Sequence, residues 1–313
     1  MKENFKRKFI PVMLTPFKED GKIDLDGLTR ITEFYLQAGA KGLFANCQSS
    51  EMFKLSNEER LLIIKHTLKV TNEKVPVVAV GNFGNTIHEQ ADFIQKVYGT
   101  GVGAVIIVTS LIAMEHESNE VFEKRIFELL KLTGEIPLGF YECPEPYKRV
   151  LSAQQLQKFV ATGRVIYHKD TCLDIELIKD KLKATENFPS FGLYDAYAAN
   201  AVSSLEAGAA GLSCIQGNFF PELIVWLCDH FDDKNESESV SKVQKFLTDH
   251  MEVIHYAYPT VAKYYLQKRG INISTFTRTD TETFTAAVRE RVDRLFQEYH
   301  LLKKDLAVNL IRN

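Results

Sequence analysis

The stretch "FIPVMLTPFKEDGKID" (residues 9–24) decides the fold. An apolar, strand-like run from Phe9 to Phe17 passes into a polar turn that carries one glycine, Gly21, and no G-x-G-x-x-G. An open doubly wound sheet would want a glycine-rich phosphate turn after its first strand. Seven more apolar runs follow: "GLFANCQ" (42–48), "VPVVAVGNFG" (75–84), "AVIIVTSL" (104–111), "IPLGFYECP" (136–144), "VIYHKD" (165–170), "FPSFGLYDA" (188–196) and "GLSCIQG" (211–217). A helix-like segment separates each pair. Eight such units with strands apolar on both faces predict an α/β fold of the (β/α)8 TIM barrel type.

Local signals agree with that reading. Ser56 with Glu59 and Ser152 with Gln155 read as capping boxes. Gly39, Gly134, Gly163 and Gly208 stand where helices need a left-handed terminator. After Phe220 strand signals vanish and only helical patterns remain, so residues 1–225 are expected to form the barrel and 226–313 a C-terminal helical extension packed on it. The apolar face of that extension includes Val240, Val243, Phe246 and Leu247.

Bulk properties narrow the function. A net charge of −3, without long charge blocks, excludes the basic footprint of a nucleic-acid binder. No apolar run approaches a membrane span, and the opening "MKENFKRKFI" lacks a signal-peptide core. A cytoplasmic protein with a small-molecule partner is expected. Five cysteines without a C-x-x-C pair indicate neither a disulfide framework nor a zinc knuckle.

In a barrel of this type the chemistry sits at the C-terminal ends of the strands. The run "RVIYHKDTCLD" (164–174) closes a buried strand on Lys169, and the preceding strand ends on Tyr141, 28 residues earlier. Burial lowers a lysine pKa and frees the amine to attack a carbonyl, and the imine so formed is an electron sink. A tyrosine hydroxyl in reach can shuttle the protons. Taken singly, Lys169 reads more readily as a partner of Asp170 or of a helix end, and Tyr141 as an amphipathic rim residue; only their combination points to chemistry. Thr15, Gln48, Ser49, Ser50, Glu51, Asn82, Glu142, His168, Asp195 and Asn218 are the other strand-end groups. The turn "CQSSEMFKLS" (47–56) has the hydroxyl and amide groups to hold a carboxylate, or simply to cap the next helix.

These motifs resemble the dihydrodipicolinate synthase and N-acetylneuraminate lyase family of class I, Schiff-base lyases. "LTPF" (14–17), "CQSSEMFKLSNEER" (47–60), "FYECP" (140–144) and "HKD" (168–170) carry the resemblance, and "GAAGLSCIQGNFFPEL" (208–223) and "YPTVAKYYLQKRG" (258–270) extend it. It implies Lys169 as the imine-forming residue and Tyr141 as proton relay. It places Gln48, Ser49 and Ser50 at the 2-oxo acid carboxylate, with Thr15, Gly192, Asp195, Ser213 and Asn218 completing the substrate-binding set. It implies no metal, no cofactor, and a homotetramer or homodimer.

Departures bear on the substrate. Cys47 and Ser50 replace the family's turn glycines, Gln48 replaces a hydroxyl residue, and Glu142 stands at its usual Asn. Pro146 occupies the place of a carboxylate-binding arginine, and "VTSLIAM" (108–114) lacks the tyrosine pair of the diaminopimelate-pathway synthases. A distal wall of Tyr194, Asp195, Asn218, Leu111, Ile112 and Phe219 is expected, with no cation for a second carboxylate. The expectation is therefore cleavage or dehydration of a 2-oxo acid with a neutral distal part, such as a sugar acid, with dihydrodipicolinate-type condensation as the alternative. Two rivals remain: a metal-dependent aldolase, for which only His168 offers a strand-end histidine, and a catalytically silent 2-oxo acid-binding barrel.

Overall fold

The computed structural model describes residues 7–306. Eight parallel strands, β1 (Lys8–Phe9), β2 (Leu43–Asn46), β3 (Val77–Val80), β4 (Ala104–Val108), β5 (Leu138–Tyr141), β6 (Val165–Asp170), β7 (Gly192–Asp195) and β8 (Gly211–Leu212), form one sheet in the order 1-8-7-6-5-4-3-2. A parallel bridge between Val12 and Phe44 joins its two ends and closes the barrel. Eight helices alternate with the strands: α1 (Leu25–Gln37), α2 (Asn57–Thr71), α3 (Ile87–Tyr98), α4 (Asn119–Leu132), α5 (Ala153–Val160), α6 (Ile175–Ala184), α7 (Ala201–Ala207) and α8 (Pro221–His230). Four more, α9 (Ser237–Asp249), α10 (Met251–His255), α11 (Thr260–Lys268) and α12 (Ala286–Asp305), make the extension. The sequence-expected boundary at 225/226 falls inside α8.

The capping boxes at Ser56 and Ser152 both form, and a third starts α3 at Thr86 with Glu89. All four expected glycines have positive φ. The first and last strands are much shorter than the sequence predicts. Ile10 N–H still bonds the Leu212 carbonyl of β8, and Pro11, which faces β2, accepts from Phe44 N–H but has no N–H of its own to give, so register pairing with β2 is confined to a bridge at Val12. The run after Leu212 turns into a 3₁₀ turn over Ile215–Asn218.

Ile10, Val12, Phe44, Val80, Ile106 and Tyr167 are among the side chains that fill the barrel, while a larger apolar layer lies between strands and helices. The extension completes that outer layer. Val240, Val243, Phe246 and Leu247 are buried on the chain's own barrel, with the Phe246 ring 5.2 Å from Phe220 and Tyr299 of α12 stacked on the same Phe220. Beyond α11 the chain crosses the barrel mouth. There Arg278 bonds the Gly21 carbonyl and Glu59, and buried Glu51 accepts from Lys263 Nζ at 2.8 Å and from the N–H groups of Arg278 and Thr279.

Candidate active site

Residues 141 and 169 are register partners on β5 and β6, and alternation turns both side chains into the barrel. Lys169 Nζ lies 4.0 Å from the centroid of the Tyr141 ring. Both residues are almost fully buried. Burial is the main influence on Lys169 and lowers its pKa below the ordinary lysine value. Three neighbouring thiols would oppose this only as thiolates, and burial pushes Cys143 up to about 11 and Cys214 to about 12, so they stay neutral near pH 7. Burial likewise raises Tyr141 well above the usual phenol. The pair is thus an amine that gives up its charge readily and a phenol that keeps its proton. Lys169 has no bond to Asp170, which the sequence left open as its partner; Lys181 takes that carboxylate instead.

The turn after β2 supplies the facing wall. Tyr141 donates to Gln48 Oε1 at 3.3 Å. Ser49 Oγ accepts from the Tyr258 hydroxyl at 2.8 Å. These groups, with Lys169, line a cavity of about 410 Å³ whose rim holds Lys148, Lys54, Thr171, Leu173, Tyr197 and Thr279. A larger cavity of about 580 Å³, beside Leu111 and Tyr147, contains neither Lys169 nor Tyr141.

Six expected substrate contacts do not line the cavity. Ser50 is buried beneath the turn, its hydroxyl between the Met13 and Ala45 carbonyls, and Thr15 donates to the Ser50 carbonyl at 2.8 Å. Both brace the turn from below. Ser213 donates to the Ile10 carbonyl and ties β8 to the start of the barrel. Gly192 sits lower on β7, opposite Tyr167. Asp195 takes the outward parity of β7: its Oδ1 accepts from Tyr197 N–H, and Ser204 on α7 faces it. Asn218 reaches the site only through Tyr258, to which its amide donates at 2.6 Å. The expected distal wall is corrected too. Tyr194 stacks on Tyr167 inside the barrel, Phe219 is core, and Leu111 and Ile112 line the other cavity.

Sequence reading missed Tyr258, Tyr197, Thr171 and Lys148. The first three lie in turns or the extension, where strand alternation gives no guide. Lys148 donates to the Thr171 carbonyl at 2.8 Å, so a cation does stand at the rim, where the sequence reading expected none.

Behind the site, Glu142, His168 and Asp170 gather with metal-ligand spacing. Lys181 Nζ fills the centre of that group, 2.7 Å from Glu142 Oε1 and 2.6 Å from Asp170 Oδ2. An ammonium there leaves no room for an ion. As its parity predicts, His168 faces this cluster and not the cavity, 3.3 Å from Glu142.

The sequence profile of the Dihydrodipicolinate synthetase family matches residues 5–299. The chain belongs to that family. Family membership makes it a pyruvate-dependent lyase or aldolase of the Schiff-base class. It is similar to the 4-hydroxy-tetrahydrodipicolinate synthase of Laribacter hongkongensis, 24% identical over 216 residues that cover 69% of this chain and 72% of that protein. A second relative, 4-hydroxy-tetrahydrodipicolinate synthase 2 of Halalkalibacterium halodurans, is 26% identical over 68% of this chain and 72% of its own length. Among solved structures, the prophage protein YagE of E. coli K12 in complex with pyruvate superposes with a TM-score of 0.85 at 20% identity, covering 94% of this chain and 99% of that one. A monomeric dihydrodipicolinate synthase variant gives the same TM-score at 19% identity over 96% and 100% of the two chains. At such identities the superpositions establish the barrel and its extension alone. Glu142, which the sequence reading set against the family's usual Asn, turns its side chain away from the cavity and accepts from Lys181, Leu151 N–H and Thr171 N–H. Among the described residues no helix is long and apolar enough to cross a membrane.

Proposed function

We propose that Lys169 forms the imine with a pyruvate-type 2-oxo acid and that Tyr141 moves the protons. The observation that carries this is the buried amine held 4.0 Å from the Tyr141 ring. The neutral amine adds to the 2-oxo carbon; the carbinolamine loses its hydroxyl as water, taking a proton from the Tyr141 phenol, and leaves a protonated imine. That imine accepts the electron pair released when the bond to the distal fragment breaks, or delivers it when the bond forms. Gln48 and Ser49 hold the carboxylate. Borohydride reduction in the presence of pyruvate tests this: a pyruvyl mass is expected on Lys169 in the wild type, and Lys169→Ala should show neither adduct nor turnover. Turnover in that variant would overturn the assignment.

The substrate reading is cleavage or dehydration of a 2-oxo sugar acid. Tyr197, Thr171 and Thr279 at the rim supply hydroxyls for a polyhydroxylated tail. A second reading, condensation with a substrate bearing a second carboxylate, is supported by Lys148 and Lys54 at the same rim. Pyruvate release from 2-oxo-3-deoxy sugar acids, set against pyruvate consumption with aspartate semialdehyde, separates the two. The protein is proposed to work in the cytoplasm as a homotetramer or homodimer, which light scattering tests.

A further inference from the structure

Three polar side chains that the imine chemistry does not require, Tyr35, Asn218 and Tyr258, run in a line from the buried face of α1 to Ser49 in the carboxylate-binding turn. Tyr35 donates to Asn218 Oδ1 at 2.5 Å, and Asn218 Nδ2 donates to the Val12 carbonyl at 3.0 Å and to the Tyr258 oxygen at 2.6 Å. Tyr258 in turn donates to Ser49 Oγ at 2.8 Å. Tyr35 and Asn218 are fully buried and Ser49 nearly so.

Counting protons fixes the orientation of Asn218, and the bond from the Tyr258 hydroxyl to Ser49 Oγ sets the rest. The Val12 carbonyl can only accept, so the Asn218 amide nitrogen must face it and the amide oxygen must face Tyr35. The other amide proton then points at Tyr258, whose oxygen accepts it. The one proton of the Tyr258 phenol is donated to Ser49. Ser49 Oγ therefore acts as an acceptor on that side, and its own proton must leave in another direction. Among the described residues no group accepts that proton, and Ser49 lines the cavity beside Gln48 and Lys169.

Resting on the reading of Lys169 above, we infer that Tyr258 is a positioning residue of the carboxylate grip: the extension, through Tyr258, aims the Ser49 proton into the cavity as a fixed donor for the substrate carboxylate. A serine without this partner would be free to turn its proton to a backbone carbonyl, and the anion would have to pay to reorient it. A donor already oriented toward an anion binds it more tightly because that cost is absent. The chain of four also explains why a tyrosine from a helical extension, over 200 residues away in sequence, reaches into a barrel mouth.

The test compares two carbonyl compounds that differ in the carboxylate. Imine formation is measured by borohydride trapping over a range of pyruvate and, separately, acetone concentrations, in the wild type and in Tyr258→Phe. The variant keeps the ring and loses only the hydroxyl. Half-saturation for pyruvate should rise on the order of tenfold, while acetone trapping stays within about twofold. In a Ser49→Ala background, adding Tyr258→Phe should change pyruvate trapping no further. Tyr35→Phe, which acts two links from the cavity, should raise pyruvate half-saturation in the same direction and by less, and serves if Tyr258→Phe does not fold. Unchanged pyruvate half-saturation in the folded variants, an equal loss with acetone, or additivity with Ser49→Ala would each overturn the inference. A wild type that traps neither compound would overturn the reading of Lys169 itself, and this inference with it.

Discussion

The acid–base role proposed for Tyr141 needs a ring fixed by packing and a hydroxyl free to exchange protons. The ring meets Phe44 edge-on at 5.8 Å and Lys169 at 4.0 Å, and the hydroxyl donates to Gln48 beside the Cys143 thiol. Tyr141→Phe should therefore preserve the fold and lower kcat by about 10²- to 10⁴-fold; steady-state rates on any accepted substrate, with the melting temperature as control, check it. Asp195 offers a second residue-scale prediction. Burial pushes its pKa up to about 7, and one of its oxygens has no partner. The unfolded chain loses that proton near the ordinary value of about 3.9, so between the two values the folded state binds more protons and stability falls as pH rises. Asp195→Asn removes this penalty. Relative to wild type, its unfolding free energy should gain about 3 kcal/mol between about pH 4.5 and pH 8, read from urea unfolding at each pH, and catalysis should survive because Asp195 does not line the cavity. A parallel pH dependence in both proteins would show that Asp195 is ionised in the folded state.

At the scale of elements, β5, β6 and α6 are joined by the buried group of Glu142, His168, Asp170 and Lys181. Burial would push the Lys181 pKa down, but the two carboxylates outweigh it and hold it above the ordinary value; the same neighbours raise His168. Removing the ammonium strands two carboxylates in a dry site. Lys181→Met should cost about 3–5 kcal/mol of stability, and combining it with Glu142→Gln and Asp170→Asn should recover most of that loss; denaturant midpoints decide. This group was half legible in the sequence. Alternation placed His168 behind the strand, but Lys181 lies on a separate helix, and nothing in the spacing of "HKD" foretells it. Lys169 and Tyr141 were legible for the same reason that His168 was, since strand parity is a strict rule. Asp195 was misread by ignoring that rule: Tyr194 and its neighbour cannot both face inward. The rim residues Thr171 and Tyr197 lie just past the last paired residues, where parity lapses and the turn alone sets direction.

On the scale of the whole molecule, the extension completes the site as well as the core. Tyr258 and Thr279 come from it, and Glu51 in the turn after β2 is gripped by Lys263 and by the backbone at Arg278. The number and order of βα units could be read from apolar runs because each unit is local in sequence. The contacts of the extension with the mouth span more than 200 residues, and no periodic pattern encodes them.

The shortened first strand has a dynamic consequence. Every neighbouring pair from β2 to β7 shares three or four register partners, whereas the β1 and β2 segments share the single Val12–Phe44 bridge, with N–H groups given by Lys41, Met13 and Phe44. With one bridge against two register partners for β7/β8 and β8/β1, that junction has the shortest stretch of ladder in the ring. Local opening free energy tracks how many such bonds must break together. In native-state hydrogen–deuterium exchange, the amides of Met13 and Phe44 should exchange faster than those of Val105 and Phe140, and a bound 2-oxo acid should slow them, because its carboxylate would sit on the turn that β2 carries. Equal protection around the ring would show that helix packing, and not strand pairing, sets where this barrel breathes.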